Sequence, residues 1–329
     1  MDYSYIKTLL SKKNNIVITS HKTPDGDALG SSLALFHAFK KLKNVTVIMP
    51  NQYPNYLKWL PGSKDVIIYE GNELYSNKLI ACADIIFCLD FNKLYRTHTM
   101  SSVLKDSDAY KIMIDHHEDP DDFCEQVLLD TSICSTAELI FDFLQNLSFD
   151  FNRDIAICLY TGITTDSGSF RYPNVTQKTH EKIAYLMSFN INHASIHENL
   201  FDSQNKSRID LLKVFLKNLK LYPKAKSSIT FLLQSDLISC QFQKGDTEGF
   251  VNLPMSIKDV KFSTFFVEFE DGVKFSFRSQ GDFDVNLFAK KYFNGGGHKN
   301  AAGGFLENRD VNYVLSYFEK VLLKFNSEF

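Results

Sequence analysis

At 329 residues, 44% of them hydrophobic and 23% charged, the chain has the composition of a folded globular protein and the length of two domains. Its formal net charge of −3 argues against a protein that tracks long DNA or RNA on a basic footprint, and no apolar run is long enough to span a bilayer. Met1 to Lys13 lack the cationic, apolar, small-residue series of a secretion signal, and the six cysteines, with no C-x-x-C pair, read as reduced core residues (Cys88, Cys158, Cys240); both predict a cytoplasmic location.

In chain order, Asn15–Ser20, Val45–Met49, Asp84–Leu89 and Tyr110–Ile114 read as short buried strands. Ala28–Lys43 reads as a helix with Leu29, Leu33 and Phe36 on one face. Strands alternating with helices predict a parallel sheet covered on both sides. Helices follow at Thr136–Asn146, Arg153–Thr165 and Gln177–Ser188, the first opened by the capping-box sequence Ser135-Thr136-Ala137-Glu138. Ile191–Leu219 opens polar, closes in the helical pattern Arg208–Leu219, and reads as a connector. Beyond it, Ser228–Leu233, Leu237–Gln243, Val260–Glu268 and Val273–Arg278 look like strands. Asp271-Gly272, between Phe262–Glu270 and Val273–Ser279, is a hairpin signal. Val311–Phe325 reads as a helix. The expected fold is α/β: a parallel-sheet domain over 1–190, a helical linker over 191–219 and a smaller mixed α+β domain over 220–329.

Three polar segments follow predicted strands directly: His21-Lys22-Thr23-Pro24-Asp25-Gly26-Asp27, Asp90, and Asp115-His116-His117. In an open parallel sheet ligands bind beyond the carboxyl ends of the strands, so these side chains are expected to converge. Asp166 ends a predicted helix, where a lone carboxylate faces the negative end of the dipole. Singly, each has a bland reading as a turn residue, an N-cap or a solvated histidine. Together, Asp25, Asp27, Asp90 and Asp166 would repel one another strongly unless two divalent cations cancel their charge. A carboxylate such as Asp90 can bridge two metals about 3.5–4 Å apart, the spacing used in phosphoryl transfer. Adding His21 and His116 gives mixed oxygen and imidazole ligation, which tilts the choice from Mg2+ toward Mn2+.

These motifs in this order resemble the DHH phosphoesterase superfamily. Asn294-Gly295-Gly296-Gly297-His298-Lys299-Asn300-Ala301-Ala302-Gly303 looks like the glycine-histidine signature of the DHH-associated substrate-binding domain. Order, spacing and length together are similar to the nanoRNase/pAp phosphatase branch, which combines oligoribonuclease activity with 3′-phosphate removal from 3′-phosphoadenosine 5′-phosphate (pAp). The resemblance implies that His21 and Asp25 hold one metal, Asp27, His116 and Asp166 the other, and that Asp90 bridges them. It implies that Asp115 orients its neighbours and that His117 reaches the scissile phosphate. It implies short oligoribonucleotides and pAp as substrates, with the second domain holding the terminal nucleotide.

Candidate substrate contacts follow from the chemistry of anions. Gly295, Gly296 and Gly297 allow close backbone approach and offer N–H donors. His298 adds a side-chain donor, and Arg278 on its predicted strand can grip a phosphate in two places. Arg96 and Arg171, just beyond Asp90 and Asp166, are further candidates, each nearly as well read as a solvated surface charge. Enzyme alternatives are a cyclic- or linear-dinucleotide phosphodiesterase and a processive single-strand exonuclease. An inorganic pyrophosphatase fits the glycine-histidine segment less well. A non-catalytic nucleotide sensor would have no use for a full ligand set. Long duplex nucleic acid and membranes are not expected partners, and the oligomeric state, a homodimer included, stays open.

Overall fold

The protein is described from a computed structural model, over residues 1–307 and 311–328. It divides into two compact units, Met1–Ser203 and Gln204–Phe329, the break falling inside the expected connector.

The first unit runs α1 (Tyr3–Lys12), β1 (Asn15–Thr19), α2 (Gly26–Phe39), β2 (Asn44–Met49), β3 (Ile67–Ile68), α3 (Glu73–Ala81), β4 (Ile85–Leu89), α4 (Ser101–Lys105), β5 (Tyr110–Asp115), β6 (Gln126–Leu129), α5 (Thr136–Asn146), α6 (Arg153–Asp166), α7 (Gln177–Met187) and α8 (His193–His197). The six strands form one sheet in the order β3-β2-β1-β4-β5-β6, every neighbouring pair parallel. The expected parallel sheet is therefore present, with β3 and β6 added. Both faces are covered: α2, α5 and α6 bury Leu29, Leu33, Ile140, Phe143 and Leu159 with Ile16, Ile18 and Phe87, while Val17, Ile48, Ile86 and Cys88 pack with Ile80, Met100 and Leu104. β4 is buried along its whole length, which explains its unbroken apolar run. The order reverses between β1 and β4, the place where an open sheet of this kind leaves a crevice at its carboxyl edge.

Helix starts in this unit follow capping chemistry. Asp25 caps α2 by accepting from the N–H groups of Asp27 and Ala28, both at 3.0 Å. Ser135 caps α5 by accepting from Glu138 N–H, and Asn152 caps α6 through Ile155 N–H. α2 ends at Phe39, short of the expected Lys43, where three lysines in four residues leave nothing to bury.

The second unit runs α9 (Lys206–Lys217), β7 (Lys220–Tyr222), β8 (Ser227–Leu232), α10 (Gln234–Ser239), β9 (Phe262–Phe269), β10 (Gly272–Ser279), α11 (Val285–Tyr292), β11 (Gly296–His298), β12 (Ala301–Glu307) and α12 (Val311–Glu328). Its sheet, in the order β11-β12-β10-β9-β8-β7, is antiparallel except for β8 with β9. One face carries Phe262, Phe266, Phe275 and Phe277 against α11 and α12; the other carries Phe265 and Leu232 against Leu211 and Phe215 of α9. The segment read as a linker thus supplies core to both units, since Ile196 and Leu200 pack into the first. The Asp271-Gly272 hairpin forms as expected.

One expected strand is corrected. Leu237–Gln243 contains the end of helix α10 and a turn. The Asp236 carboxylate accepts from Leu233 N–H at 2.9 Å and nucleates a helical turn. Leu237 is then buried while Ile238 is 72% exposed, so the apolar run has no second layer to pair with.

Candidate metal centre

The carboxyl edge of the first sheet gathers the polar segments at the β1/β4 switch. His21 follows β1, Asp90 follows β4, and Asp115, His116 and His117 follow or end β5. Asp25 and Asp27 sit at the start of α2 and Asp166 at the end of α6. Three groups of side chains lie with ligand atoms within 4.8 Å of one another: His21, Asp25 and Asp90; Asp27, His116 and Asp166; and Asp90, His116 and His117. All six residues expected to hold metal are thus brought together.

Asp90 is at the centre. It is 2% exposed and sits at a positive φ of 61°, a strained backbone for a residue with a side chain. Its Oδ2 faces His21 Nε2 at 3.2 Å. Its Oδ1 faces His116 Nε2 at 3.6 Å and His117 Nδ1 at 3.7 Å, and accepts from the Thr136 hydroxyl at 3.1 Å. His116 Nε2 also lies 3.3 Å from Asp166 Oδ2. The other side of the site is built from the start of α5. Asp27 Oδ2 accepts from Thr136 N–H at 2.7 Å and Oδ1 from Ala137 N–H at 2.9 Å. The positive end of one helix thus holds a carboxylate of another.

His117 Nδ1 lies 2.7 Å from Asp115 Oδ1, and Asp115 is fully buried. An anionic acceptor makes Nδ1 the protonated nitrogen. Nε2 then carries the lone pair, which Arg96 Nη2 approaches at 3.2 Å. Arg96 lies in the turn after β4, and its carbonyl accepts from Lys22 N–H, tying that turn to the loop after β1. Arg171 is exposed and its Nε donates to the Gly168 carbonyl of its own loop.

The electrostatics show what this cluster does without cations. Burial would lower the pKa of His21, but the hydrogen bond and charge of Asp90, with Asp25, raise it to about 9. Burial would raise Asp90, and the imidazoles of His21, His117 and His116 more than reverse this, holding it well below the usual carboxylate range. Asp166 is pushed up to about 7 by burial and by the charges of Asp25 and Asp90, against the pull of His116. Burial and the charges of Asp90, Asp166 and Asp25 also raise Asp27. The crowded carboxylate charge behind these shifts is one that divalent cations would offset, and the mixed carboxylate–imidazole donors fit such ions.

In the second unit, Gly296–His298 form strand β11, paired with β12. The glycines are required by packing: a Cβ on Gly295 would lie 1.8 Å from the Gly303 carbonyl oxygen, and one on Gly297, at φ +153°, 2.4 Å from that of Ala301. The Gly295 N–H donates to the Ala289 carbonyl and the Gly297 N–H to Asn286 Oδ1, while Gly296 pairs with Gly303 in the ladder. A Cβ on Gly296 would make ordinary contacts, 3.5 Å from Asn286 Oδ1 and 3.7 Å from the Lys290 side chain. Arg278 and His298 both pair with Ala301, so they stand on one face of the sheet two strands apart, roughly 10 Å. Arg278 Nη1 donates to the Phe277 carbonyl at 2.9 Å.

Thr136 and Ala137 were missed as parts of this site, although Ser135–Glu138 was read correctly as a helix start. The available signal was that this start follows β6 at the same sheet edge, and β6 was itself unpredicted.

Residues 15–163 match the DHH family, N-terminal domain, and residues 235–324 match the DHHA1 domain. The chain is 28% identical to the bifunctional oligoribonuclease and PAP phosphatase NrnA of Thermus thermophilus, over 96% of this chain and 90% of that one. It is 26% identical to the Bacillus subtilis protein of the same name, over 94% and 95%. A crystal structure of an exopolyphosphatase-related protein from Bacteroides fragilis superposes with a TM-score of 0.95 at 40% identity, covering 98% of this chain and 96% of that one.

Proposed function

The chain belongs to the DHH family of phosphoesterases, and from that premise we propose that it hydrolyses short oligoribonucleotides, from dimers to pentamers, and removes the 3′-phosphate of pAp. The observation that carries the chemistry is one buried carboxylate, Asp90, with one oxygen toward His21 and the other toward His116. That is the arrangement of a ligand shared by two sites. The substrate class rests on the Thermus and Bacillus relatives, each a bifunctional oligoribonuclease and PAP phosphatase by name.

His21, Asp25 and Asp90 would hold one divalent cation, and Asp27, His116, Asp166 and Asp90 the second, with Mn2+ preferred over Mg2+ because imidazoles take part. Such cations acidify water and offset phosphate charge. Arg96, within reach of His117, would grip a phosphate oxygen with its fixed fork of donors. His117, relieved of that contact, would take up a proton from solvent water on Nε2 and give it to the leaving oxygen, returning to the neutral imidazole, while Asp115 stabilises the transient imidazolium. Arg278 and His298 would hold the far phosphate or sugar of the terminal nucleotide.

A substrate panel with Mn2+ tests this: pAp, RNA from dimers to long oligomers, cyclic di-AMP and pyrophosphate. Turnover of pAp and RNA dimers is the expected result. Turnover confined to pyrophosphate or to cyclic di-AMP would replace the substrate assignment.

A further inference from the structure

We propose that Thr136 is a positioning residue that ties the two ligand groups together, an inference that rests on the two-cation reading above. Thr136 is the first residue of α5 and is fully buried. Its N–H donates to Asp27 Oδ2 at 2.7 Å, and its hydroxyl donates to Asp90 Oδ1 at 3.1 Å. One residue thus holds a carboxylate from α2 and a carboxylate that follows β4, and these belong to different ligand groups.

The hydroxyl matters because of how a carboxylate is shared. The terminal torsion of an aspartate is broad and close to two-fold, so packing alone does not decide which oxygen faces which site. On Asp90, Oδ2 is toward His21. Oδ1 has two lone pairs; Thr136 takes one and leaves the other on the His116 side. Removing the hydroxyl frees the torsion and leaves a buried lone pair without its donor. The Asp27 contact runs through the backbone, so a side-chain change leaves it in place. The variants therefore report on the Asp90 arm alone. Because Asp90 is common to both sites, both cations should weaken together, whereas loss of an unshared ligand weakens mainly one.

The test uses the full chain with Thr136→Val, which keeps the shape, Thr136→Ala, and Thr136→Ser, which keeps the hydroxyl. Mn2+ binding is measured by calorimetry, together with kcat and KM for pAp. The expected result is a loss of about ten- to a hundredfold in Mn2+ affinity for Val and Ala. The kcat should fall while KM changes little, and Ser should restore both affinity and kcat. If Thr136→Val does not fold, the Ser–Ala difference isolates the hydroxyl. Ser as weak as Ala, or Val binding both ions as tightly as wild type, overturns the inference. Wild-type protein that takes up no Mn2+ overturns the two-cation reading and this inference with it. A wild type that binds two ions beside an unaltered Val variant overturns only the role of Thr136.

Discussion

His21 and Asp166 set the protonation chemistry of the apo site, and with it the pH dependence of cation uptake. His21 is raised to about 9 by Asp90 and Asp25 against its burial. Its contribution to the stability of the cation-free protein is fully present below its unfolded pKa near 6.5 and is lost as pH rises through 9. Asp166, raised to about 7 chiefly by burial, favours the folded apo protein only in its protonated form, so ionising it above its unfolded pKa costs stability. Below pH 7 a cation displaces both protons, and between pH 7 and 9 mainly that of His21. Mn2+ affinity should therefore rise with pH from 6 to 9, by about tenfold per unit for each proton released. Calorimetry in buffers of different ionisation enthalpy measures the protons directly; an affinity flat over this range would mean that neither group is protonated when the ion arrives. Asp90→Ala should abolish hydrolysis, since both groups lose a ligand. Arg96→Ala should lower kcat/KM by roughly ten- to a hundredfold with Mn2+ content unchanged, which separates phosphate contact from metal binding.

At the scale of elements, the site depends on how closely α2, α5 and α6 approach. A Cβ on Gly162 would lie 2.7 Å from Ala137 Cβ and 2.9 Å from Asp27 Oδ1, and one on Gly30 would lie 2.5 Å from the Cys158 carbonyl oxygen. Both Gly162→Ala and Gly30→Ala overpack a helix contact and should cost about 1–3 kcal/mol of stability. Only Gly162→Ala also displaces a proposed ligand, so it alone should reduce Mn2+ affinity. Thermal unfolding with and without Mn2+ checks this: Mn2+ should raise the Tm of the Gly30 variant nearly as much as that of wild type, and that of the Gly162 variant less. The same contacts show what the sequence made legible. Five of the six proposed ligands were readable because their polar segments interrupt apolar strands at the carboxyl end, and an open parallel sheet has only one such edge; Asp166 was readable as a carboxylate closing a helix. Thr136 was unreadable because its function lies in a backbone N–H and one hydroxyl, which look like those of any helix start. β6 was missed because Gln126-Val127-Leu128-Leu129 is short and sits at the sheet edge. Leu237–Gln243 was read as a strand from its apolar residues, and the Asp236 cap turned it into a helix. The three glycines before His298 were read for what they could bind; two of them are fixed by the hairpin they close.

At the scale of the whole chain, the two units have separate cores, and the proposed function assigns them separable tasks. Arg278→Ala and His298→Ala should weaken pAp turnover by roughly ten- to a hundredfold and leave Mn2+ binding and hydrolysis of a small generic phosphodiester nearly unchanged. Equal losses on both substrates would mean that these residues serve the fold. Substrate length follows from charge. With 36 Lys and Arg against 39 Asp and Glu, the chain has no overall excess of cations to follow an extended backbone, so under the proposed function nucleotides beyond the first few should add little binding. Dimers to pentamers should then be cleaved much faster than an oligomer of about 20 nucleotides, from one end and without processivity. Each phosphate contact on a single strand contributes a slope of about −0.7 to log K against log salt, so a site for one terminal nucleotide gives a shallow dependence and a long groove a steep one. Measuring kcat/KM for a dimer and a long oligomer across salt concentrations separates the two. A long oligomer cleaved as well as the dimer, with a steep salt slope, would make this a strand-tracking exonuclease while leaving the metal chemistry of Asp90 and its neighbours untouched.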